Sequence, residues 1–158
     1  MADVDTLGTA LARDWRLEVQ TDTDEWTHVK GLRAVQAIFE GAAQDDSTID
    51  SEGYGSQIVT GLSARITGSG FRQHDGGTPD PGQDFLREKG QKTGAANLIV
   101  ARIYRTDELS DAYQMVTTVE WTDSEGSDPN ALQEFSFTLS SRGKPEEIEK
   151  PTDEPTDP

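Results

Sequence analysis

Four stretches of this chain alternate between apolar and polar side chains. They are residues 15–21, 58–67, 113–121 and 135–140. Successive side chains of a β-strand point to opposite faces, so a period of two indicates strands with one buried face and one solvated face. The sequence therefore predicts a mainly β fold.

The segments between these runs complete the expected scaffold. Residues 26–29 are expected to return antiparallel to the first strand. Residues 31–40 fit either a helix or a strand, and the glycines at both ends favour a short strand. Residues 98–104 are apolar on both parities, which is typical of a central strand covered on both sides. One short helix is expected over residues 85–92, capped by Asp84, and a bend or strand end at residues 68–70.

Two polar segments stand out from the scaffold. Residues 41–56 contain four acids and few apolar side chains, which predicts a long polar loop; loops of this length are often functional. Residues 144–158 contain four prolines and six acids, and cannot bury enough apolar surface to fold alone. We therefore expect a β-domain over residues 1–143 and an extension, 144–158, that is disordered on its own.

The net charge of −16 limits the partners of this chain. The extension carries six acids and two bases, so −4 of this charge lies there and −12 lies on residues 1–143. Such a surface repels phosphate backbones, which disfavours ordinary nucleic-acid binding. No apolar run approaches the length of a membrane span, and no secretory signal is expected at the N-terminus.

The sequence offers few of the groups that catalysis needs. There is no cysteine, and the two histidines lie far apart. His74 and Asp75 are adjacent, but no second ligand stands at a useful spacing for a metal. The acids from Asp45 to Glu52 lack the spacing of a calcium loop, and no serine lies in a nucleophile elbow. We expect no enzymatic activity, no cofactor and no metal site.

The order of these segments resembles a known family. The resemblance covers roughly residues 13–145 and is carried by a strand pair, the long polar loop, a short helix and the closing strands. Its most similar stretches are residues 46–50, 61–68, 98–104, 113–121 and 135–145. In this order the chain resembles the major tail tube protein of long, non-contractile-tailed bacteriophages, in particular of phages that infect actinobacteria.

The resemblance implies a β-sandwich or barrel-like fold with one flanking helix. It also implies a structural virion protein that forms hexameric rings, stacked into a tail tube, with DNA passing through the bore during ejection. The implied partners are other copies of the chain and the tape measure, tail terminator and distal tail proteins, with no membrane partner. Assembly would take place in the host cytoplasm. From the charge of the domain we expect an acidic bore that repels DNA phosphates.

The resemblance implies subunit contacts along strand edges, through the long loop and through the two termini, which would reach toward neighbouring copies. The long loop, 41–56, is expected to contact the next ring, and the basic side chains near the helix are expected to meet an acidic patch on another copy. The predicted interface residues are Asp45, Asp46, Asp50, Glu52, Tyr54, Arg87, Lys89 and Lys92. The alternative is a monomeric β-sandwich that binds a glycan or a protein, with Trp26, Tyr54 and Trp121 lining a shallow groove.

Overall fold

The computed structural model describes residues 8–126 and 128–151. Within them, ten strands and one α-helix follow one another along the chain. The strands are β1 (Trp15–Asp22), β2 (Glu25–His28), β3 (Leu32–Asp45), β4 (Gln57–Phe71), β5 (His74–Asp75), β6 (Thr78–Pro79), β7 (Ile99–Arg105), β8 (Ala112–Asp123), β9 (Glu134–Ser141) and β10 (Glu146–Glu147), and the helix is α1 (Pro81–Lys89). The prediction of a mainly β fold with one short helix is confirmed.

Eight of the strands form a single antiparallel sheet in the order β2-β1-β7-β8-β9-β4-β3, and β10 pairs with β8 beyond the end of β9. The sheet curls over, so that β1 and β3 come into contact. β5 and β6 form a separate small hairpin. β7 lies between β1 and β8, which explains why residues 98–104 are apolar on both parities.

The core lies inside the curled sheet, and alternate residues of each strand fill it. Leu17 and Val19 of β1 are fully buried there, with Ile103 of β7 and Leu139 of β9. α1 packs near β1, β2 and β8 and inserts Leu86, which is also fully buried. The period-two runs therefore mark the faces of the strands that build the core.

The helix begins four residues earlier than predicted. Pro81 occupies the first helical turn, where its missing N–H costs nothing. The carboxylate of Asp80, not that of Asp84, accepts a hydrogen bond of 3.2 Å from the backbone N–H of Gln83. This cap satisfies one of the free donors of the first turn, and the helix ends at Lys89 before Gly90.

The β3–β4 hairpin is longer than predicted. Residues 41–45 continue β3, and the loop is confined to residues 46–56. Residues 68–70, predicted to bend or end the strand, remain paired in β4, which ends one residue later at Phe71. A Cβ on Gly70 would stand 2.2 Å from the carbonyl oxygen of Gly31, so glycine here permits a close approach of two backbones and not a bend.

The chain remains packed on the domain beyond the predicted boundary at residue 143. β10 pairs with β8, and the N–H of Ile148 donates to the carbonyl of Ala112 at 3.1 Å. The Lys150 ammonium donates to the carbonyl oxygen of Leu109 at 2.8 Å. Residues 152–158, where disorder is also predicted, lie outside the described residues. In the part of the chain that the structure describes, no helix is long and apolar enough to cross a membrane.

Candidate assembly surfaces

The outer half of the β3–β4 hairpin projects from the body of the sheet. β4 pairs with β9 only from Arg65 to Phe71, whereas β3 and β4 pair as far as Asp45 and Gln57. We call residues 39–62 the arm. Its two strands pair with each other, and within the described residues no third strand accompanies them.

One face of the arm is apolar and exposed. Phe39, Leu62 and Val59 continue the face that Ile66 presents to the core, and they are 52%, 86% and 56% exposed. A bulge opposite Ala42 and Ala43 inserts one extra residue in β4, which keeps Val59 on this face. An apolar strip that extends the core face without a covering layer is typical of an interaction surface.

The loop at the end of the arm is held together by its own hydrogen bonds. The N–H of Asp46 donates to the carbonyl of Ser56 at 3.1 Å, and the N–H of Ser56 donates to the Ser47 hydroxyl at 2.8 Å. Thr48 and Ser51 cap a short 3-10 turn reciprocally. The loop therefore presents its two exposed apolar side chains from an ordered backbone: Ile49 is 98% exposed and Tyr54 is 78% exposed.

The arm is uniformly acidic. It contains five acids and no base. Glu40 forms an ion pair of 2.8 Å with Arg65 at the root of the arm, and the hydrogen bond from Arg65 lowers the pKa of Glu40. Hydrogen bonds from Ser47 lower the pKa of Asp45. A surface that is complementary to the arm must therefore supply positive charge.

The sheet presents long unpaired edges at the arm. β3 is the outermost strand and runs for 14 residues, whereas β2 at the other end has four. β8 extends past the first residue of β7, and there its free edge is blocked because the Asn97 side chain exchanges two hydrogen bonds, of 3.0 and 3.1 Å, with the backbone of Val119. Long unprotected edges pair with other chains, so β3 is the edge suited to assembly.

The predicted interface residues fall into two separate groups. Asp45, Asp46, Asp50, Glu52 and Tyr54 lie together at the end of the arm. The basic group lies on or just after α1, which packs against β1, β2 and β8 and not against the arm.

The basic group is partly engaged within its own chain. Arg87 donates twice to the Asp84 carboxylate, at 2.8 and 3.1 Å. The Lys89 ammonium lies 5.5 Å from the centre of the Phe85 ring. Lys92 follows the helix and is exposed. These contacts make the arm the stronger candidate surface.

Sequence reasoning missed the apolar strip of the arm. Gly41 and the small residues after it resemble a loop, and Leu62 reads as an ordinary core position of the strand. The alternation from residue 58 indicates a long strand, but only the strand pairing shows that its first half extends beyond β9.

The aromatic groove of the alternative hypothesis is not formed. The Arg102 guanidinium lies over the Trp26 ring, 4.1 Å from the ring centre, on the outer side of the sheet. Trp121 stacks on Phe135 with ring centres 4.5 Å apart, and Tyr54 lies at the end of the arm. The three rings occupy different surfaces.

Among the described residues, no cluster of histidines and acids could hold a metal ion.

Comparison with known proteins reveals the same fold in tail structures. A chain in the virion of a native gene transfer agent particle matches 89% of this chain and 99% of its own, with a TM-score of 0.69 and 14% identity. A chain in the tail of an empty gene transfer agent particle, which has C6 symmetry, matches equally far with a TM-score of 0.66 and 16% identity. The SPP1 tail tube matches 90% of this chain and 81% of its own, with a TM-score of 0.60 and 14% identity.

No protein-family model matches the sequence, and no curated protein is similar enough to count as a relative. The likeness to these solved structures covers about nine tenths of the chain. The chain therefore has the fold found in these tail structures.

Proposed function

We propose that this chain is the structural subunit of a phage-type tail tube. One observation carries the proposal: on a fold shared with tail structures, the core face of the sheet continues along an arm where Phe39, Val59 and Leu62 remain exposed. A monomer gains nothing from such a strip, and burying it against other copies stabilises a polymer. The role is structural and involves no catalysis.

Rings form when copies join head to tail. The open edge of β3 extends the sheet of one copy to the next. A head-to-tail contact closes into a ring when the rotation between neighbouring copies is a whole fraction of a full turn. The C6 symmetry of the similar gene transfer agent tail supports six copies in each ring. The acidic loop of the arm then contacts the next ring, which extends the ring into a tube.

The bore is formed by the outer face of β4, β9 and β8. This face is rich in hydroxyl groups, whose positions follow from the strand register: Thr67, Ser69, Thr118, Thr122, Ser136, Thr138 and Ser140. Its charged groups are Glu120, the Glu40–Arg65 pair and Glu134, which is paired with Arg33; together they leave a net charge of −1 for each copy. Such a bore is weakly acidic, and holds no unpaired cation that would retain a DNA duplex.

The tube belongs to a virion tail, of the long non-contractile type, that is assembled in the host cytoplasm. Its ends contact the tail terminator and distal tail proteins, and during assembly its bore holds the tape measure protein. DNA passes through the bore without specific binding. The proposed host group, the actinobacteria, rests on the sequence resemblance alone.

Electron microscopy of the purified protein over a range of concentrations tests this proposal. We expect tubes or six-fold rings. Leu62→Asp should abolish them while the protein stays folded, because it places a charge in the apolar strip. Leu132→Asp is the matched control, since Leu132 is 70% exposed and lies away from the arm. A protein that stays monomeric at every concentration and salt would overturn the proposal, and glycan binding by that monomer would establish the alternative.

A further inference from the structure

A cavity of about 330 Å³ opens at the other end of β3, beside its first residue, Leu32. It is bounded by the start of β1, the end of β2, the connection to β3 and the residue after β7. Its lining residues are Arg13, Trp15, Arg16, Leu17, His28, Val29, Lys30, Gly31, Leu32 and Thr106.

The lining of this cavity is cationic. Arg13, Arg16 and Lys30 contribute positive charge, and no carboxylate lines the cavity. Each of the other described cavities has at least one acid in its lining. Arg16 is partly neutralised by Glu18 at 3.4 Å, so the positive excess belongs mainly to Arg13 and Lys30, which are both exposed.

The cavity also has an apolar floor. Trp15 and Leu32 contribute apolar surface, and the fully buried Leu17 and Val29 lie beneath them. His28 is half-buried, and burial together with the nearby Arg16 lowers its pKa, so it is neutral at pH 7. An apolar floor with a cationic rim fits an apolar side chain that is surrounded by acids.

The arm carries such a group, but not within reach of the cavity of the same molecule. β3 has 14 residues, so at about 3.3 Å per residue its two ends lie about 40 Å apart. The loop extends beyond the far end. Only the arm of another copy can therefore enter the cavity. Because the two surfaces differ, their contact is heterologous, and where its rotation does not close a ring it repeats along one direction.

We propose that the loop of one copy docks into the cationic cavity of the next copy along the tube. Ile49 or Tyr54 enters the cavity, and Asp46, Asp50 and Glu52 face Arg13 and Lys30. This proposal rests on the proposed function and names the surface that receives the loop.

Disulfide trapping tests the contact directly, because the natural chain has no cysteine. The double variant Ile49→Cys, Lys30→Cys is assembled, oxidised mildly and run on a non-reducing gel. We expect a ladder of covalent multimers. Disulfides require Cα atoms within about 7 Å, so the two cysteines of one molecule cannot react with each other.

Three controls make the ladder specific. Either cysteine alone can give at most dimers, and Ile49→Cys with Ser110→Cys should give no ladder. Assembled tubes without a ladder would overturn the docking proposal and leave the tube function intact. A wild-type protein that forms no tubes would overturn both.

Charge exchange provides an independent test. Arg13→Glu with Lys30→Glu, or Asp50→Lys with Glu52→Lys, should each raise the concentration needed for assembly by about tenfold or more, since like charges then meet. Combining both pairs should restore assembly. Lys144→Glu and Glu125→Lys, at exposed positions elsewhere, are the matched controls. A combination that assembles no better than either pair alone would contradict the contact.

Discussion

The Phe39 ring meets the Tyr113 ring edge to face, with ring centres 5.1 Å apart and planes at 61°. Phe39 is the first residue of the arm, and Tyr113 belongs to β8 in the body of the sheet. This contact is where the arm leaves the domain. Phe39 remains half-exposed, so the contact orients the arm without burying it.

Phe39→Ala should lower the free energy of unfolding only modestly. Aromatic pairs contribute about 0.5–1.5 kcal/mol beyond their buried area, and half of this ring is already exposed. Phe135→Ala, at a fully buried ring, should cost about 3–5 kcal/mol. Urea unfolding measures the free energy of unfolding of both variants. A Phe39 variant as damaged as the Phe135 variant would show that the arm root belongs to the core.

The same substitution should affect assembly more than stability. With Phe39 removed, the arm loses the contact that fixes its direction, and a neighbouring copy no longer meets it in one orientation. Sedimentation of assembled protein measures this effect, with Leu132→Ala as the control. Wild-type assembly by Phe39→Ala would mean that the hairpin alone sets the direction of the arm.

Gln83 joins the helix to two other segments. Its side chain is fully buried, and its amide nitrogen donates to the carbonyls of Lys30 at 2.7 Å and Phe71 at 2.9 Å. Its amide oxygen accepts from the N–H of Gln73 at 3.0 Å. Gln83→Leu leaves three backbone groups without this hydrogen-bond partner. Each group that stays buried and unpaired lowers the free energy of unfolding by about 1–3 kcal/mol.

We therefore expect Gln83→Leu to be among the most damaging single substitutions, with a loss of roughly 3 kcal/mol or more in urea unfolding. Gln91→Leu, at an exposed glutamine just after the helix, is the matched control and should change little. Equal stability of the two variants would mean that water replaces all three hydrogen bonds.

The sheet could be predicted from the sequence because the alternation that marks a strand lies within the residues of that strand. Alternation located β1, β8 and β9 almost to the residue, and the two-sided apolar pattern placed β7 at the centre. The helix was shifted because Pro81 and Gly82 resemble a loop. Their helical state depends on the Asp80 cap and on Gly82, where a Cβ would lie 2.7 Å from the carbonyl oxygen of His28.

The candidate surfaces depend on contacts that are distant in sequence. The loop acids were identified because they lie within eight residues of one another in the sequence. The cationic cavity was not, since Arg13 and Lys30 are brought together only by the antiparallel return of β2. The strand character of residues 41–45 was missed for a related reason: their pairing with β4, and not their own β-propensity, holds them extended.

Stability should fall in acid partly through Asp107. The hydrogen bond from Arg105 holds the pKa of Asp107 below its ordinary value, and the two side chains form an ion pair. A carboxylate whose pKa is lower in the folded state stabilises the protein fully at pH values above its pKa in the unfolded state, about 3.9. This stabilisation is lost as the pH falls through the pKa of the folded state. Asp107→Asn should therefore lose stability at pH 7 and approach the wild type at low pH.

Urea unfolding at several pH values checks this prediction. Glu108→Gln, on the same turn, serves as the control and should show a smaller dependence. A stability difference between wild type and Asp107→Asn that stays constant down to the lowest pH would mean that the contribution of Asp107 does not come from its charge.

Lys150 fastens the C-terminal segment to the turn between β7 and β8. Its ammonium donates to the backbone carbonyls of Asp107 and Leu109, and Ile148 bonds to Ala112 just before it. Lys150→Met keeps an unbranched side chain of nearly the same length but removes these donors. The amide of Ile148 should then exchange faster with solvent, whereas that of Val119, in the interior of β8, should not change. Lys144→Met, at an exposed lysine before β10, is the control. Unchanged exchange at Ile148 would show that strand pairing alone holds the segment in place.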